Sequence, residues 1–217
     1  MCSSDLLPVS AHMSSVFAVR LADGRDAAVK VRPDEDGRAA ACVEAQRQLA
    51  VAGFPCARPL TPVLVVEGLA VHAEEWRPGG VMMRGDTTDV ARRSAALGYA
   101  DFETQNIRWL GDEPWAVYDW DSLAWMPEAA LVGAASGAFA SAETPTLAAL
   151  DSSEAFLMAY QERTGRAFTQ EEIEVAWAAS VWTATHNARA ESLFGQPPVA
   201  AAPLRAQAHE RLARANA

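Results

Sequence analysis

Lysine is almost missing from this chain: Lys30 stands alone, and seventeen arginines carry the rest of the positive charge. A composition that disfavours lysine draws attention to the one that remains. Lys30 lies in the small-residue run Ala27-Ala28-Val29-Lys30-Val31, where a strand would present one long cationic side chain. A compact ammonium in such a place suits phosphate, the plain alternative being a solvated lysine on an edge strand. Cysteine is scarce too. Cys2, Cys42 and Cys56 are odd in number and lack metal-ligand spacing, which excludes a disulfide scaffold and suits a reducing cytoplasm. Neither a histidine cluster nor a G-x-S-x-G elbow is present, which argues against a metalloprotein or a nucleophilic hydrolase. Positive charge is short overall: a net charge of -10 argues against nucleic acid or an anionic membrane as partner. No apolar run reaches the roughly 18 residues of a membrane span, and the amino terminus lacks a basic start followed by an apolar stretch. The expectation is a soluble, cytoplasmic protein.

With 217 residues, half of them hydrophobic, the chain can bury a good core as one domain or two small lobes. The first six residues, Met1-Cys2-Ser3-Ser4-Asp5-Leu6, read as a translated sequencing adaptor with a GTG start. They are expected to be non-native, with the natural chain beginning upstream of Leu7.

The first third reads as two hairpins around a helix. Val16 to Ala22 alternates as a strand, Asp23-Gly24 is a hairpin turn signal, and Asp26 to Val31 is its partner, which places Lys30 on the second arm. Arg38 to Val51 carries apolar positions at helical spacing and is stopped by Gly53 and Pro55, with Glu44 inside it. Pro62 to Val66, the Glu67-Gly68 turn and Leu69 to Ala73 give a second hairpin. Glu74-Glu75-Trp76-Arg77-Pro78-Gly79-Gly80 then looks like a lobe boundary. Hairpin with lysine, helix with glutamate, hairpin and Pro-Gly-Gly exit is the order of a kinase-type small lobe, in which a glutamate facing the lysine holds the ammonium against phosphates. The connection that would cover those phosphates, Ser10 to Ser15, has no glycine, so a cradle must use hydroxyls such as those of Ser14 and Ser15 and backbone N–H groups.

The stronger constellation follows. Asn106 comes five residues after Asp101, and Asp119 eighteen after it. In a phosphoryl-transfer site one carboxylate accepts the proton of the substrate hydroxyl, while an amide oxygen and a second carboxylate hold magnesium on the phosphates. Asp101 fits the first role, Asn106 and Asp119 the second. Between them Ile107-Arg108-Trp109, the Gly111-Asp112 turn and Trp115 to Tyr118 form a hairpin that would return Asp119 beside Asn106. Singly, Asp101 and Asn106 would suit turns and Asp119 a helix N-cap; jointly, the spacing favours chemistry.

On these residues the chain resembles the aminoglycoside phosphotransferase and choline kinase-like family, whose members share the protein kinase fold. Ala28-Val29-Lys30, Glu44, Glu74-Glu75-Trp76, Asp101 with Asn106, and Asp119-Trp120 carry the likeness. It implies an α+β, two-lobed fold: an antiparallel sheet lobe over residues 1–75 and a mainly helical lobe over 76–217. It implies ATP and Mg²⁺ as cofactors, Asp101 as catalytic base, Asn106 and Asp119 as metal ligands, and Lys30 with Glu44 as the phosphate-binding pair. Backbone groups of the hinge at Glu74, Glu75 and Trp76 would meet adenine. The implied activity is transfer of the γ-phosphoryl group to a hydroxyl of a small molecule such as an aminoglycoside or amino alcohol. Tyr99 stands where the family has histidine, and Asp101 comes only 25 positions after Trp76, where the family has a longer helical segment. A catalytically impaired nucleotide-binding relative, or a gene remnant, is the rival expectation.

Downstream, Pro127 to Phe139 reads as a close-packed small-residue helix, and Ser153 to Thr164 as a helix stopped by Gly165. Thr169-Gln170-Glu171-Glu172 caps one long helix to Ser192, with Trp177 and Val181 in its core face, and Leu204 to Ala217 makes a terminal helix.

Overall fold

The computed structural model describes residues 10–11, 14–35, 37–80, 102–103, 106–111, 113–124, 126–138 and 147–217. The chain divides into two units, 1–80 with 115–121 and 81–114 with 122–217. The architecture is an antiparallel sheet followed by helices, as the motif order implies.

In the first unit five strands, β1 (Ser10–Ala11), β2 (Ser15–Arg20), β3 (Asp26–Pro33), β4 (Leu64–Val66) and β5 (Leu69–Glu75), make one antiparallel sheet in the order β1-β2-β3-β5-β4. Both hairpins form where their turn dipeptides sit, with Gly24 and Gly68 at positive φ. The register sets Val16 opposite Lys30 and Ala18 opposite Ala28 on one side of β3, and His72 opposite Lys30 and Glu74 opposite Ala28 on the other. Because side chains alternate, Ala28, Lys30, His72 and Glu74 therefore share one face. The helix α1 (Ala39–Val51) buries Ala39, Cys42, Val43 and Gln46. That i, i+3, i+4, i+7 stripe leaves Glu44 on the opposite, exposed side.

The segment Trp115–Asp121 is stitched into this unit. Val117 N–H donates to the Pro55 carbonyl at 2.7 Å, Tyr118 Oη to the Arg77 carbonyl at 3.1 Å and Trp115 Nε1 to the Pro78 carbonyl at 3.3 Å. The Arg77 guanidinium lies 4.4 Å above the Trp115 ring, and the Trp120 ring meets Phe54 edge-on at 5.7 Å. These contacts fix the chain on either side of Asp119. Ile107–Leu110 (β6) and Glu113–Val117 (β7) form a separate two-stranded sheet.

The second unit holds α2 (Glu128–Ala138), α3 (Leu150–Thr164), α4 (Gln170–Ala179), α5 (Trp182–Phe194) and α6 (Ala201–Arg214). Helix α2 is buried from Ala129 to Ala138, as its small residues imply, with Gly133 and Gly137 against the Ala176 and Ser180 backbone of α4 and its end. The capping box forms: Glu172 N–H donates to Thr169 Oγ1 at 3.2 Å and Thr169 N–H to Glu172 Oε2 at 2.9 Å. The single helix expected from there to Ser192 is instead two, broken at Ser180 and Val181. Ser180 Oγ donates to the Trp177 carbonyl and accepts from the Arg211 guanidinium, so its side chain is drawn into a buried network just where α4 ends. Among the described residues no helix is long and apolar enough to cross a membrane.

Candidate nucleotide site

The face of the first unit's sheet that carries Lys30 opens on a small recess of about 20 Å³, lined among others by Ser14, Lys30, Gln46, His72, Asp119 and Trp120. Strand β3 supplies the lysine because its neighbours on that face, Ala28 and the cross-strand Ala18, are small and buried, leaving room for a long side chain to lie along the sheet.

The partner of Lys30 is not Glu44. Lys30 Nζ lies 3.0 Å from Glu74 Oε1, with the two side chains 15% and 2% exposed. Glu44 instead accepts from Arg47 at 2.9 Å and from Gln48 at 3.1 Å on the outer side of α1, because the helix turns its Cys42–Val43–Gln46 stripe inward. Gln46 takes the place expected of a helical glutamate. Its Nε2 donates to Glu74 Oε2 at 2.9 Å and to the Ala57 carbonyl at 2.7 Å, which ties helix, sheet and the segment after the helix to one carboxylate. The sequence signal lay in parity: Glu74 is two residues from His72 on the strand that pairs with β3.

His72 was not among the residues singled out by sequence. Its side chain is 6% exposed, and its Nε2, 3.9 Å from Glu74 Oε2, has no hydrogen-bond partner. Burial pushes its pKa down to about 4; the neighbouring Glu74 opposes that, and Lys30 and Arg32 add to it. Burial likewise pushes the Cys56 thiol up to about 11, with Glu74 adding, so this cysteine is an inert packing residue.

Asp119 lines the same recess, and its φ of +63° puts a non-glycine residue in the left-handed region. Such a conformation costs on the order of 1 kcal/mol and persists only where its surroundings impose it. Here Val117, Tyr118 and Trp120 are each held by the bonds given above, with Trp120 Nε1 donating to the Val117 carbonyl at 2.9 Å.

Of the remaining site residues, Ser14 lines the recess, whereas Ser15 is in β2 opposite Val31. Glu74 is consumed by Lys30 and Gln46. Glu75 is bound to Arg58 at 2.6 Å, and its N–H donates to the Arg58 carbonyl. Trp76 is 39% exposed, and its N–H donates to the Asp26 carbonyl at 3.3 Å. The N–H groups of Glu75 and Trp76 are thus already committed, one to the segment after α1 and the other to β3. Asn106 belongs to the second unit, where it precedes β6 and its N–H donates to the Glu103 carbonyl at 3.0 Å. Asp101 and Tyr99 lie outside the described residues, as does the segment 81–98.

A half-buried lysine held by a carboxylate, an aspartate in forced backbone geometry and a serine hydroxyl around one recess can together take an anion and a cation. The observation that these residues fit a phosphate is the lysine itself: its counter-ion fixes the ammonium without consuming all three donors. Among the described residues no group of three His, Cys, Asp or Glu side chains could hold a metal alone. Magnesium, which takes one or two carboxylates and completes its shell with phosphate oxygens and water, is compatible with that.

No protein-family model and no curated protein sequence matches the chain. Solved structures do. An amicoumacin kinase in complex with AMP-PNP, Ca²⁺ and Ami superposes over 82% of this chain and 78% of its own, with TM-score 0.59 and 10% identity. An aminoglycoside phosphotransferase in ternary complex with ADP and hygromycin B superposes over 99% of this chain and 92% of its own, with TM-score 0.52 and 11% identity. A macrolide 2'-phosphotransferase from Brachybacterium faecium does so over 99% and 94%, with TM-score 0.52 and 14% identity. The fold is that of the small-molecule phosphotransferases, a protein kinase-like fold.

Proposed function

We propose that the protein is an ATP-dependent phosphotransferase of the aminoglycoside phosphotransferase and choline kinase-like family, acting in the cytoplasm on a hydroxyl of a small molecule. The observation that carries this reading is the recess shared by Lys30 and Asp119, in a fold of which two solved examples hold AMP-PNP or ADP. Lys30, fixed by Glu74 and Gln46, binds phosphate oxygens, and the Ser14 hydroxyl contributes a further donor. Asp119, with Asn106, holds the divalent ion, taken here to be Mg²⁺, which when bound supplies charge neutralisation at the transferring phosphoryl group. Asp101 accepts the proton of the acceptor hydroxyl. Acceptors of the kind bound by the structural neighbours, antibiotics with free hydroxyls, are the first class to assay, with amino alcohols the second.

The test is ATP turnover with Mg²⁺ across such acceptors, in the native protein and in Asp101→Ala. Turnover that depends on an acceptor and is lost in the variant supports the reading. Binding of ATP without turnover on any acceptor would leave a nucleotide-binding relative that no longer transfers phosphate. A protein that binds no ATP would sink the proposal.

A further inference from the structure

The nucleotide reading leaves one polar group of the recess without work. His72 stands directly opposite Lys30 in the β3–β5 register, and its side chain lies on the same face. Both oxygens of Glu74 are engaged, Oε1 by Lys30 at 3.0 Å and Oε2 by Gln46 at 2.9 Å, and His72 Nε2 is 3.9 Å from the latter, beyond hydrogen-bond reach. A buried imidazole nitrogen with no partner is costly unless something that arrives later satisfies it. We infer that His72 is a phosphate-positioning residue, its Nε2–H donating to the same anionic oxygen that Lys30 grips.

The chemistry favours a donor role. The ring is neutral at neutral pH, so it offers one N–H and one lone pair. Beside an ammonium, an incoming ligand group must be an acceptor, and an oxygen that accepts from Lys30 Nζ can accept from Nε2–H as well. The recess of about 20 Å³ takes a group of about one water's size, the size of a single phosphate oxygen rather than of a base.

This inference rests on the nucleotide reading, and the test separates the two. ADP and adenosine, each with Mg²⁺, are titrated calorimetrically into the native protein, Lys30→Ala, His72→Phe and His72→Gln. His72→Phe should weaken ADP about tenfold and leave adenosine unchanged, the size expected for one hydrogen bond to a charged oxygen. His72→Gln, whose amide can still donate, should recover most of that loss. ADP binding that is lost in Lys30→Ala but untouched in His72→Phe would overturn the role of His72 alone, as would parallel losses of ADP and adenosine. No ADP binding by the native protein would overturn the nucleotide reading itself. Should His72→Phe fail to fold, the histidine ¹⁵N spectrum of the native protein decides: ADP should shift the His72 Nε2 resonance and adenosine should not, and equal spectra would overturn the inference.

Discussion

Lys30 Nζ and Glu74 Oε1 lie 3.0 Å apart across two neighbouring strands, so the lysine's counter-ion belongs to the sheet and not to the helix. A counter-ion on a hydrogen-bonded neighbouring strand cannot swing away as one on a helix can. The helix is coupled to the pair through Gln46, by a neutral amide. The ammonium is therefore held in place with or without small shifts of α1.

Glu74→Gln should accordingly be far more damaging than Glu44→Gln. The first leaves a nearly buried ammonium without its charge partner, which costs about 3 kcal/mol. The second removes an exposed helix-surface interaction and should change stability by less than about 0.5 kcal/mol. Urea unfolding of both variants measures the contrast. Equal effects would mean that Glu74 is not the lysine's particular partner in solution.

His72 makes stability pH-dependent in a definite direction. Its pKa falls from 6.5 to about 4 on folding, so between those values the unfolded chain takes up a proton that the folded chain refuses. Stability is lost as pH drops through that window, by at most about 1.4 kcal/mol per pH unit, and this contribution is constant above 6.5. His72→Gln removes it. Unfolding free energies of native and variant protein should run parallel above pH 6.5, and below it the native protein's should fall relative to the variant's. Lines parallel down to pH 4 would mean that the imidazole titrates normally.

Much of this arrangement is legible in the sequence, and the part that is not has one cause. The two hairpins are written in their turns, Asp23-Gly24 and Glu67-Gly68, and the helix α1 in its apolar stripe, all local signals. Lys30 stands out because no other lysine exists. Its partner did not, because choosing Glu74 over Glu44 requires the register of β3 against β5, a pairing between distant segments. The same stripe that identified α1 already assigned Gln46 inward and Glu44 outward. The break at Ser180 was hidden likewise, since it coincides with a contact from Arg211 in the last helix. The left-handed conformation of Asp119, supported by contacts from Pro55, Arg77 and Phe54, has no local signature.

Gly133 and Gly137 should not tolerate alanine. A β-carbon at Gly133 would overlap the Ala176 carbonyl, and one at Gly137 the Ser180 carbonyl, both backbone atoms that cannot rotate away. Helix propensity alone would favour alanine by about 1 kcal/mol. Forced separation of α2 from α4 should outweigh it, for a net loss of about 2 kcal/mol in each variant. Thermal or urea melts test this; a gain in stability would show that the two helices have room to part.

Arg211 offers a test of whether a buried charge or its hydrogen bonds hold the last helix. The residue is 0% exposed. Its guanidinium donates to Ser180 Oγ at 2.8 Å, Ser153 Oγ at 3.1 Å, Gln207 Oε1 at 3.1 Å and the Ala148 carbonyl. All are neutral acceptors, and none of the ion pairs among the described residues includes it. Burial, with nearby Arg214 adding, lowers its pKa to about 10, which leaves it charged at neutral pH. The face of the Trp177 ring, 5.7 Å away, adds diffuse negative density. Arg211→Met removes the charge and most of its desolvation cost. The two serines keep partners of their own, through Ser153 Oγ to the Ser136 carbonyl and Ser180 Oγ to the Trp177 carbonyl. Chiefly the Ala148 carbonyl and Gln207 lose a donor, for a cost of about 1–2 kcal/mol. Arg211→Lys keeps the charge, concentrates it on a more strongly hydrated group and reaches fewer acceptors, so it should cost about 3 kcal/mol or more. Lysine worse than methionine in urea unfolding means that the planar fork of hydrogen bonds docks the helix. The reverse order would mean that positive charge itself is required there.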